Sequence, residues 1–186
     1  MTFSEYGKAI VNELENTLSK LSDSRGEELV KAIENANRIF VAGAGRSGFA
    51  VKAFAMRLMH MGYHAYVVGE TVTPNLKPDD LIVFGSGSGS TGSLVGMAKK
   101  AKAIGAKIAL LSILEDSPIG ELAGIIIRIP APTPKIEQDT GFTSIQPMGS
   151  LFEQSLLLTL DAVILLLMER SDKDSDTMFV NHANLE

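Results

Sequence analysis

The chain has 186 residues, of which 45% are hydrophobic and 21% charged, favouring one domain with a core that needs no covalent staples. It has no cysteine, which excludes disulfides and thiolate chemistry and fits a reducing cytoplasm. The net charge of −5, with no basic stripe to neutralise phosphates, argues against a general nucleic-acid role.

Ile10, Val11, Leu14, Leu18 and Leu21 recur at helical spacing and predict an amphipathic helix over 4–21. Its first turns carry acids and no apolar signal core. Ser24 and Glu27 form an S-x-x-E capping box that predicts a second helix, ending near Asn37. "RIFVAG" then reads as a buried strand, followed by "GAGRSG" and a helix from Ser47 to about Met61. "HAYVVG" and "LIVFG" are the next strands, and a helix covers Thr91 to Ile104. "AKIALLSI" is the fourth strand, Ser117-Pro118 starts a short helix, and "GIIIRIP" is the fifth strand. Strands apolar on both faces, alternating with helices, predict a parallel sheet covered on two sides. Ligands of such sheets bind beyond the carboxyl ends of the strands, where both glycine-rich loops fall.

Residues 130–147 carry four prolines and no apolar periodicity, and read either as a lid or as a mobile surface loop. Ser150 to Arg170 reads as a helix apolar nearly all round, which needs burial on more than one side and suggests a subunit interface. Its most apolar stretch, Leu156 to Met168, is shorter than the roughly 20 residues that cross a bilayer. A tail spans 171–186, and its end, "FVNHANLE", is expected to be disordered, as termini usually are.

"GAGRSG" fits the dinucleotide fingerprint, with Glu70 about 20 residues on. Arg46 inside the loop, and the lack of an evident second domain, count against that rival. "GSGSGSTG" lacks the lysine of a P-loop but suits a phosphomonoester. Its glycines let N–H groups of Ser86, Gly87, Ser88, Gly89, Ser90 and Thr91 turn toward one anion. The hydroxyls of Ser86, Ser88, Ser90 and Thr91 add donors, and the following helix adds its positive end. Ser47 can lean over the same crevice; Arg46 either reaches the sugar or forms a surface ion pair.

Ser150-x-x-Glu153 is another capping box, so Glu153 either holds its own helix start or serves as a general base. His60, at a helix end, reads as a cap. His64 reads as ordinary, and His182 lies in the terminal tail. No His, Asp and Glu spacing predicts a metal site.

"GAGRSG", "FAMRLMHMGY", "VGETVTP", "SGSGSTGS", "QPMGSLFEQ" and "HANLE" together resemble the sugar isomerase (SIS) domain, and within it the 6-phospho-3-hexuloisomerase family. The resemblance runs from about residue 37 to 186. It implies a single three-layer α-β-α sandwich over 1–186, flavodoxin-like, with a five-stranded parallel sheet preceded by helices over 4–36. It implies a cytoplasmic homotetramer, free of metal and cofactor, that interconverts D-arabino-3-hexulose 6-phosphate and D-fructose 6-phosphate. The step follows hexulose-phosphate synthase in the ribulose monophosphate route of formaldehyde fixation. Carried over, Ser47 and the loop Ser86–Thr91 bind substrate, with the loop on the phosphate, and Glu153 accepts the proton; Arg46 is counted with the substrate-binding residues on its place in the glycine loop. His60 and His182 assist ring opening or proton shuttling, the tail serving a neighbouring subunit. Two alternatives stay open: another SIS aldose–ketose isomerase, and a sugar phosphate sensor without turnover. Sensors of that kind carry a DNA-binding domain, for which the residues before the first strand are too few.

Overall fold

The structure, a computed structural model, describes residues 1–134 and 143–185. Within the proline-bearing stretch predicted as lid or surface loop, 135–142 lie outside the described residues. The apolar runs form five strands: β1 (Ile39–Gly43), β2 (Ala65–Val67), β3 (Leu81–Gly85), β4 (Lys107–Ser112) and β5 (Ile125–Arg128). They make one parallel sheet in the order β2-β1-β3-β4-β5. Every residue of the central strand β3 is buried, as a sheet covered on both faces requires.

Alternate residues of each strand serve opposite cores. Val41, Val83 and Leu111 pack under α2 (Asp23–Glu34), α3 (Gly45–His60) and α5 (Ser150–Ser171). Phe40, Ile82, Phe84 and Leu110 pack under α4 (Gly92–Ile104), through Leu94, Ala98 and Ala101. The helix α1 (Phe3–Leu18) lies against α5, and a short α6 (Ser175–Phe179) follows in the tail. The result is a three-layer α-β-α sandwich of flavodoxin-like strand order. Close seating of α3 on β1 needs glycine, since a Cβ on Gly48 would stand 2.8 Å from the Gly43 carbonyl oxygen.

Several local expectations are corrected. The helix α1 stops at Leu18, and its Val11 faces solvent. The predicted Ser24–Glu27 box does not form: α2 begins a residue before Ser24, with Ser22 at its N-cap. Glu27 instead pairs with Arg170 of α5, which also holds Glu34 at 3.2 Å. The helix ends at Glu34, where the Asn35 side-chain amide donates to the Lys31 carbonyl at 2.6 Å. Beyond it, the Asn37 N–H donates to the Asp79 carbonyl, at the foot of β3. Ser117 is not the N-cap expected: only a single 3₁₀ turn follows, Gly120–Leu122, with Ile119 at its N-cap, although the Ser117 hydroxyl does accept from the Gly120 N–H at 3.1 Å.

The helix α5 has 22 residues, long and apolar enough by length and composition to cross a bilayer, contrary to the shorter estimate. Leu151, Phe152, Leu156, Leu160, Val163, Ile164 and Leu167 are buried in the core, which accounts for the apolarity. Leu158 and Leu165 remain exposed. The tail returns to the body of the fold: Met178 is buried, and the Asn181 side-chain amide donates to the His60 carbonyl at 2.9 Å.

At the amino end of β3, Asp80 is 1% exposed and accepts two bonds from Arg38, at 2.6 and 3.0 Å. It also accepts from the Lys77 N–H at 2.7 Å. Removing one partner of a buried pair leaves the other charge uncompensated. We expect Asp80→Ala to lower stability by about 3 kcal/mol in urea unfolding. A loss below about 1 kcal/mol would place the pair among ordinary surface bridges.

Candidate active site

Parallel strands release their loops on one edge, and three helices begin there. The N-caps are Ala44 for α3, Thr91 for α4 and Gly149 for α5, and none makes a side-chain capping bond. Each helix start carries first-turn N–H groups without intrahelical acceptors and the positive end of the macrodipole. All three open onto a cavity of about 470 Å³.

Arg46, Ser47, Ser86, Gly87, Ser88, Thr91 and Glu153 line that cavity, as expected. Gly89 and Ser90 do not. Gly89 adopts φ +60, and a Cβ there would collide with Ser117, 2.2 Å from its hydroxyl oxygen. Its N–H returns to the Ser86 carbonyl at 3.1 Å, so it shapes the loop from behind. Ser90 is exposed and its hydroxyl donates to the Ser88 hydroxyl at 3.0 Å. Gly87 is pinned to β4, its carbonyl accepting from the Ile113 N–H and the Ser112 hydroxyl, both at 3.0 Å. The N–H groups of Ser86, Gly89 and Ser90 are spent inside the protein, on Leu111, Ser86 and Ser88, while Gly87, Ser88 and Thr91 line the cavity.

Glu153 stands one turn inside α5, and its N–H bonds the Gly149 carbonyl at 3.0 Å. It is no cap. Its carboxylate accepts from Arg46 Nε at 2.5 Å, which makes Arg46 its ion-pair partner across the cavity mouth. The sequence did not single out Thr133, Met148 or Gly149, which line the space together with Pro134 and Phe152. Met148 holds φ +57, a left-handed conformation uncommon outside glycine. A methionine before a helix start carries no sequence signal of that.

His60 and His182 come together, but not in this cavity. Their rings stack at 5.4 Å, and the Phe179 ring also stacks on His182, at 5.2 Å. This stack sits at the carboxyl end of α3, about 20 Å along the helix from the cavity end. His60 is buried, and its Nδ1 lies 3.1 Å from Arg57 Nη1, so the ring nitrogen accepts. Lys173 donates to the Met61 carbonyl beside it.

Comparison with known proteins places the geometry in a lineage. The SIS domain family model matches residues 32–158. A 3-hexulose-6-phosphate isomerase of Bacillus subtilis is 51% identical, covering all of both chains. One of Methylomonas aminofaciens is 37% identical over 98% of this chain and 99% of its own. A crystal structure from Methanococcus jannaschii, inferred to be a 3-hexulose-6-phosphate isomerase, superposes with TM-score 0.85 at 35% identity, covering 98% of this chain and 99% of that one.

Burial first, then the neighbouring Arg57 and His182, push the His60 pKa below its usual 6.5. A base so depressed is neutral in the docked tail. Docking is at full strength above the usual value and weakens as pH falls from there toward the depressed one. Amide exchange of residues 174–182, normalised for intrinsic rates, should rise as the pH drops from about 7.5 to about 5.5. Equal protection at both pH values would contradict the coupling.

Proposed function

This chain belongs to the SIS domain family and is a sugar-phosphate isomerase; we propose that it interconverts D-arabino-3-hexulose 6-phosphate and D-fructose 6-phosphate through an enediolate. One observation carries the reading: a carboxylate and an anion-seeking loop share one cavity. The uncapped helix starts and the hydroxyls of Ser47, Ser86, Ser88 and Thr91 suit a phosphate dianion. Glu153 faces the same space with 22% of its side chain exposed.

Moving a ketone from C3 to C2 takes a proton from C2 and returns one to C3. Glu153 removes the C2 proton, and the C–H electrons form the C2–C3 double bond while the C3 carbonyl oxygen takes the negative charge. A proton then passes from the C2 hydroxyl to that oxygen. Glu153 gives its proton to C3 as the C2 carbonyl forms, so one carboxylate serves both halves. Arg46, already paired with it, supplies positive charge for the enediolate oxygen. Binding of the remote phosphate holds the reacting carbons against the base.

His60 and His182 stand too far along α3 to serve their own chain's cavity. A role in ring opening or proton shuttling therefore belongs to a neighbouring subunit's cavity, within a homotetramer. The exposed Leu158 and Leu165, on a helix face that also exposes Asp161 and Ala162, support such an assembly. The ketose would come from hexulose-phosphate synthase, in the ribulose monophosphate route.

Glu153→Gln keeps the size of the side chain and removes the base. In an assay coupled to fructose 6-phosphate formation, with arabinose 5-phosphate run beside it, we expect kcat to fall about 10³-fold with KM nearly unchanged. Near-normal turnover would remove Glu153 from the mechanism, and turnover of arabinose 5-phosphate alone would replace the substrate.

A further inference from the structure

We propose that Glu13, on the helix that precedes the matched SIS segment, is a positioning residue that clamps 144–146 and so fixes the run 147–153 bearing Glu153; the assignment rests on Glu153 being the base. The Glu13 carboxylate accepts three bonds from three consecutive residues. The Ser144 hydroxyl donates at 2.7 Å, the Ile145 N–H at 2.8 Å and the Gln146 side-chain amide at 2.9 Å. Those donors are 131 to 133 residues away along the chain, so the contact is purely tertiary. Ser144 also accepts from the Gln146 N–H at 3.0 Å, which closes the clamp into a small ring of bonds.

The next residues carry the constraint to the site. Ser150 N–H donates to the Pro147 carbonyl at 3.2 Å, and Glu153 N–H to Gly149 at 3.0 Å. Between them Met148 holds its left-handed φ of +57. A non-glycine residue stays in such a conformation when its surroundings over-determine it. Here α5 fixes one side and the Glu13 clamp the other. Pro147, Met148, Gly149 and Glu153 all line the cavity, so a shift of the clamp moves its wall and its base together.

The helix α1 is suited to the task because it packs against α5, and its Leu14 lies against the core that α5 helps to form. Burial works to raise the Glu13 pKa, but the bonds from Gln146, Ile145 and Ser144 together outweigh it and hold the carboxyl below its usual range. A depressed carboxylate contributes fully above its unfolded value and loses that contribution as pH falls through the folded one. The clamp is therefore closed at neutral pH.

The test compares Glu13→Ala and Glu13→Gln with the native chain by steady-state kinetics and by amide exchange of residues 143–153. We expect Glu13→Ala to speed exchange in that segment and to lower kcat about 10- to 100-fold, with KM little changed because the Ser86–Thr91 loop is untouched. Glu13→Gln keeps the shape and one acceptor oxygen, and should recover part of kcat, which a merely structural loss would not do. Unchanged exchange in both variants overturns the clamp. Faster exchange with native kcat overturns its positioning role. The exchange readout needs no substrate, so it is independent of whether Glu153→Gln retains turnover.

Discussion

Three helix starts without side-chain caps face one cavity, and the rest of the site follows from that arrangement. A parallel sheet sends every strand's carboxyl end to the same edge, so the helices that follow β1 and β3 begin there together. The first-turn N–H groups of each helix need an acceptor. In many helices a serine, threonine or aspartate side chain supplies it. Here Ala44 and Gly149 have no such side chain, and Thr91 does not use its own. First-turn donors are left for an acceptor in the cavity, and a dianion there lies beside three helix N-termini at once.

The same arrangement sets the electrostatics of the base. A bare carboxylate in a cavity built for a phosphate would repel it. Arg46 offsets the charge at 2.5 Å, leaving the attraction for the substrate to main-chain amides and hydroxyls. Neutral donors hold a dianion without a lysine that would compete for Glu153. The loop keeps its shape because its carbonyls are tied to β4, and because Gly89 makes a turn that only glycine fits against Ser117.

Much of this was legible in the sequence, because strand and loop signals are local. "LIVFG" is apolar on both faces, and the structure makes β3 of those same residues, buried throughout. The Gly/Ser run at its end could be read from composition and position alone. Helix termini were less legible: Glu27 has the spacing of a capping residue, but Arg170, far along the chain, takes it. Ser150 and Glu153 also match a capping pattern, while a left-handed Met148 sets the actual helix start. His60 and His182 could be paired only by a tail that folds back across α3. Glu13 gave no signal at all, since its partners lie more than a hundred residues away.

A structure of the chain with fructose 6-phosphate bound tests the anion cradle most directly. The phosphate should lie within hydrogen-bond distance of main-chain N–H groups between Ser86 and Thr91, with the C2 and C3 carbons toward Glu153. Phosphate bound instead in the cavity that Lys20, Arg25 and Arg128 line, with Ser86 and Ser88 contacting no ligand oxygen, would contradict it.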